Sequence, residues 1–91
     1  KAAEEAEKRW FVQLRTWRVM LGTEDARQAY QSIAAVRDPH CVNALGELLK
    51  EESFRQVKML YIDVLAQIGT PAALETLFLA TLILFAVKWL G

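Results

Sequence analysis

The chain has 91 residues, enough for one small domain and too few for two separate cores. Eleven Lys and Arg balance eleven Asp and Glu, so the formal charge is zero, and the basic excess of a general nucleic-acid binder is missing. A hydrophobic content of 54% excludes disorder, and one Cys with one His excludes both an internal disulfide and a closed four-ligand zinc site.

The chain reads as helix from end to end. Strand-like alternation of β-branched residues is absent, and the punctuation is that of helices. The first helix is expected over about residues 2–21. Glu4–Lys8 and Glu5–Arg9 are i,i+4 pairs that support its exposed start, and Trp10, Leu14, Trp17 and Leu21 form one apolar stripe. Gly22 is read as a left-handed stop and Thr23 as the next cap. The second helix, about 24–36, is expected to bury Ala26, Ala29, Tyr30 and Ile33.

Asp38-Pro39 is a cap followed by Pro at the first helical position, where a missing N–H costs nothing. It opens a third helix over about 39–51, packing through Val42, Leu45, Leu48 and Leu49. Ser53 is read as the cap of a fourth helix, about 54–68, with Phe54, Val57, Leu60, Tyr61, Val64, Leu65 and Ile68 apolar, and Gly69 as its stop. Thr70-Pro71 repeats the cap-then-Pro start, and a fifth helix follows over about 71–90. The short linkers imply five antiparallel helices in a single domain, 1–91.

A shift of 32 residues lays Ile33–Pro39 on Leu65–Pro71, Val42 on Leu74 and Leu45 on Leu77. A two-helix unit repeating at that period is the signature of an α-solenoid. The run from Ser32 to Leu77 resembles HEAT repeats of the lyase-associated, Asp-Pro type. In those repeats a small-residue-rich helix ends in an Ile-Gly turn, and an Asp-Pro-x-Ala-Val-x-x-Leu helix follows. The resemblance covers about residues 24–78 and implies a short α-α superhelix of two and a half repeats. It also implies a scaffold or protein-binding role, with an inner surface made by the second and fourth helices. Arg27 aligns there with Met59, and Gln31 with Asp63. Those four residues are the expected partner surface.

The fifth helix breaks the pattern. From Thr76 to Gly91 the only charge is Lys88, and twelve of the fifteen residues from Thr76 to Leu90 are apolar. Helical phase puts Leu74, Leu77, Phe78, Thr81 and Phe85 on one face, expected to pack inward. Leu79, Ile83, Ala86, Val87 and Leu90 then form an opposite apolar face that one chain cannot cover. The expected cover is a second copy, two fifth helices meeting across a two-fold axis. A different protein, further repeats or lipid are the other coverings. The twelve uninterrupted residues Thr76–Val87 fall short of the ~20 that span a bilayer, so membrane insertion is not expected. The unpatterned tail and the missing initiator Met read as an engineered or truncated member of the family. An unpaired Cys fits a reducing compartment, here the cytoplasm.

The sharpest catalytic reading is a Cys/His hydrolase. His40 and Cys41 sit at a helix start, where thiolate is favoured and a nearby His can act as base. Neighbouring helical residues point ~100° apart, however, and the shift lays Cys41 on Ala73 and His40 on Ala72. The competing reading is a core Cys and a solvent-facing His, with Lys88 reaching past its apolar neighbours to water. No catalytic set, cofactor or metal ligand set stands out. The expectation is therefore a non-enzymatic, self-associating protein-interaction module.

Overall fold

The computed structural model describes residues 1–90, with side-chain surroundings through Ala80 and again at Leu82. Five α-helices follow one another: α1 (Ala2–Met20), α2 (Ala26–Ala34), α3 (Val42–Glu51), α4 (Arg55–Ile68) and α5 (Pro71–Leu90), with a 3-10 turn at Pro39–Cys41 leading into α3. No strand occurs among the described residues, and the fold is all-α as expected.

The helices lie in two layers. α1, α3 and α5 stack side by side in one, and α2 packs on α4 in the other. The layers join where α1 meets α2, where α3 meets α4 and where α4 meets α5. The molecule is a slab of 36 × 35 × 19 Å. Its short dimension is two helices thick, since helix axes pack ~8–10 Å apart. Leu14, Ile33, Leu45, Leu60, Tyr61, Val64 and Leu65 fill the space between the layers and are at most 3% exposed. Trp10, Trp17 and Leu21 pack half-buried against that core, as their stripe predicts.

Local signals set several boundaries. The Asp38 side chain accepts the His40 N–H at 2.9 Å, and Thr70 Oγ1 accepts the Ala73 N–H at 3.2 Å. Both expected caps are therefore in place. Gly69 adopts φ 65°, the left-handed stop of α4.

Other boundaries move. Gly69 is the only residue with positive φ among those described, so Gly22 is no left-handed stop. α1 instead closes through a turn in which the Thr23 hydroxyl donates to Met20 O at 2.7 Å, and α2 starts at Ala26. Ser53 does not cap α4. Phe54 stands at the N-cap without a side-chain cap bond, and its own N–H is accepted by Glu52 Oε2 at 3.1 Å. Tyr30, expected inside, is 49% exposed, because the short α2 meets the core through Ala29 and Ile33, with Ala34 packed beside them.

α5 is rotated from its expected phase. Ala73 is fully buried, Leu77 and Ala80 pack on the core, and Leu74 and Phe78 face outward. The reason is close approach. A Cβ placed on Gly46 of α3 would stand 3.0 Å from the Thr76 methyl, so α3 and α5 meet through small side chains. Ala73, Thr76 and Ala80 offer that flat face, and the large residues are turned away from it.

Candidate functional site

Four places on the molecule bear on function: the open side of α5, the hydrogen bonds gathered on Asp38 before α3, the Arg–Glu cluster between α1 and the turn after α3, and the outer surface of α2 and α4.

On α5, Leu74, Phe78 and Leu82 recur every fourth residue and are 52%, 65% and 50% exposed. Leu79, 52% exposed, borders them and lines a groove with Gly46 and Glu47 of α3. Spacing of four residues sets the first three one above another on a single stripe. Between Leu74 and Leu82 the only charged side chain is Glu75. Of the expected association face, Leu79 is exposed, while the side chains of Ile83, Ala86, Val87 and Leu90 lie outside the described residues, as do those of Thr81 and Phe85. The exposed Leu74–Phe78–Leu82 stripe was not foreseen. The shift lays Leu74 on Val42 and Phe78 on Gly46, which in α3 belong to the contact with α5, and that correspondence was the signal for it.

At the start of α3, Asp38 collects donors. Its Oδ2 accepts the Trp10 indole N–H at 2.9 Å, and its Oδ1 accepts the His40 N–H and faces His40 Nδ1 at 3.0 Å. The His40 backbone N–H, and then the Trp10 indole, hold this carboxyl below the usual range. Cys41 is fully buried, and its Sγ donates to Asp38 O at 2.8 Å. Burial, and then the Asp38 charge, push the thiol up to about 12. A thiol so placed is neutral at physiological pH and unsuited to attack. His40 is exposed and engaged with Asp38. The geometry thus gives the pair structural partners and leaves the thiol in the core. Trp10 and Trp17 stand 6.3 Å apart with planes tilted by 55°, both packed on the core, which leaves no parallel slot between them.

A second polar cluster ties the C-terminal half of α1 to the turn after α3. The Arg18 guanidinium donates to Glu52, with Nη2 to Oε2 at 2.9 Å, and Arg15 reaches Glu51 at 3.3 Å. The Glu52 side chain is 5% exposed. The Arg18 hydrogen bond holds its carboxyl below the usual range, and Glu52 in turn raises Arg18. Arg18 also stacks 5.6 Å over the Phe54 ring. Both arginines are thus paired across the fold. Beneath lies the Tyr61 hydroxyl, buried and without a hydrogen-bond partner among the described residues. Burial raises Tyr61 to about 12.

The expected partner row is exposed throughout: Arg27 and Gln31 on α2, Met59 and Asp63 on α4, two helices that pack on each other. Its charge is mixed. No group of three or more His, Cys, Asp or Glu able to hold a metal occurs among the described residues.

No family model, curated protein or solved structure matches this chain. The site is therefore read from its own geometry. Among the described residues no helix is long and apolar enough to cross a membrane.

Proposed function

We propose that the chain is a non-catalytic protein-interaction module of HEAT-like architecture that associates with itself through α5. The observation that carries this reading is the row of large apolar side chains on α5 left half or more exposed. Four such residues, each with about half its area to gain, offer on the order of 5 kcal/mol for burial against a partner. That is a large fraction of the ~5–15 kcal/mol by which a domain is stable. Monomeric soluble proteins rarely leave contiguous apolar surface of this kind uncovered.

The HEAT-like part of the reading is supported by the 32-residue echo of the two cap-then-Pro starts and by the stacking of α1, α3 and α5 against α2 and α4. Light scattering behind a sizing column tests the proposal. The expected mass is about 21 kDa, twice the 10.3 kDa of one chain, returning toward one chain on dilution. A single species of one chain's mass over a hundredfold range of concentration would overturn it.

A further inference from the structure

α5 has a neighbour in its layer on one side only. What the absent neighbour would do is visible one repeat earlier, in α3. Val42 and Gly46 line the contact of α3 with α5, together with Thr76 and Ala80. Val42 is 4% exposed there, and Gly46 is in near contact with Thr76. Thirty-two residues later, Leu74 and Phe78 hold the corresponding positions in α5, where they are 52% and 65% exposed. Leu82 continues the stripe by one turn. The open stripe is thus the face on which the next helix of the same layer would sit.

We infer that in the self-associated protein the α5 of a second copy takes this position. The layer of α1, α3 and α5 then runs on through a two-fold axis into the same three helices of the partner. This rests on the self-association proposed above. It moves the contact from the Leu79 side of α5 to the Leu74–Phe78–Leu82 stripe.

Charge selects the occupant. From Leu74 to Leu82, α5 carries only Glu75, so two copies of this face meet with almost no buried charge. The other edge of the layer, α1, exposes Val12 and Val19 but flanks them with Glu4, Glu5, Lys8 and Arg9. A head-to-tail contact of α5 on α1 would bury those charges against leucine and phenylalanine, at a cost of several kcal/mol for each one left unpaired. The face is self-complementary, and the association closes at two copies instead of growing into a filament. The three stripe residues supply roughly 300 Å² per copy, about half of the ~600 Å² per partner in the smallest stable interfaces, so they form one part of a larger contact. α5 continues as helix to Leu90, over a sequence whose one charge is Lys88.

The test compares three single substitutions by sedimentation velocity, with helicity followed by circular dichroism. Phe78→Glu and Leu82→Glu are expected to stay helical and to sediment as single chains, their association weakened at least a hundredfold. Leu79→Glu is expected to remain dimeric within about threefold of the parent. Should Phe78→Glu lose helicity, Leu74→Gln and Leu82→Gln read the same stripe. Dimers that survive both stripe substitutions, or that only Leu79→Glu dissociates, overturn the inference and leave self-association through α5 standing. A mass that climbs past two copies with concentration overturns it as well, in favour of an open contact. A parent chain that is monomeric at every concentration overturns the self-association itself, and the inference with it. Should that monomer co-sediment with phosphatidylcholine vesicles, the stripe belongs to lipid.

Discussion

Asp38 serves two elements with one carboxylate. One oxygen accepts the His40 backbone N–H and caps the turn into α3, and the other accepts the Trp10 indole from α1. Asp38→Ala removes both. A lost cap costs about 1 kcal/mol and a lost tertiary hydrogen bond about 1 more. We expect a loss near 2 kcal/mol in urea titrations followed by tryptophan emission, with Asp38→Asn recovering the cap share. Asp38 and Glu52 both have folded-state values below the ordinary carboxylate range. Their contribution is present above that range and is lost as pH falls through their folded values. Stability should be flat above pH ~5 and fall below ~4, and the double substitution Asp38→Asn, Glu52→Gln should flatten that acid limb. Cys41 behaves in the opposite sense. Its thiol, like the Tyr61 hydroxyl, is raised to about 12 by burial. Their contribution is complete below the unfolded-state values and is lost as pH rises toward 12. At neutral pH a disulfide reagent should label Cys41 only at the rate at which the protein opens. Labelling as fast as a free thiol would contradict the buried placement.

At the scale of elements, the contact of α3 with α5 is set by one glycine and one threonine. The Thr76 hydroxyl donates to Ala72 O at 2.9 Å, which fixes the rotamer and aims the methyl at Gly46. Gly46→Ala gains about 1 kcal/mol of helix propensity and meets that methyl at a distance overpacked cores pay about 1–3 kcal/mol to relieve. We expect a net loss near 1 kcal/mol for Gly46→Ala alone. In a Thr76→Ser background, where the methyl is gone, the same change should stabilise. A double-mutant cycle by urea denaturation reads the coupling directly. Gly69→Ala should cost about 1 kcal/mol because its φ is 65°, whereas Gly22→Ala, at ordinary φ, should cost little or nothing. These glycines also mark how far the sequence could be read. Asp38-Pro39, Thr70-Pro71 and Gly69 were legible because each acts on its own backbone. Gly22 and Ser53 were misread because distant or neighbouring groups took over. The Thr23 hydroxyl closes the first turn, and Arg18 holds Glu52 where Oε2 also accepts the Phe54 N–H. The phase of α5 was illegible for a different reason. A helix apolar on every side has no hydrophobic direction, and the small residues that let α3 come close decide which face turns inward. The candidate site was half legible in consequence: its helix was identified, but of its exposed side chains only Leu79 was foreseen.

For the whole molecule, the open edge of the α1–α3–α5 layer couples stability to concentration. If the stripe is covered only on association, the urea midpoint of the parent chain should rise with protein concentration, the apparent stability gaining about 1.4 kcal/mol per mole of dimer for each tenfold increase. Phe78→Glu should abolish that dependence. Added salt should leave the dimer intact, since a contact nearly free of charge has little to be screened. A dimer that dissolves in 0.5 M salt would point to the Arg and Glu clusters instead. One further consequence lies at the opposite edge. α1 is fastened at both tips of α3, through Trp10 to Asp38 before it and through Arg18 to Glu52 after it. The first helix is therefore a splint, and what it splints is the central rod of the slab. Clipping the chain at Gly22 would release both fastenings at once, and a protease should then cut at the two ends of that rod before it reaches anything between them.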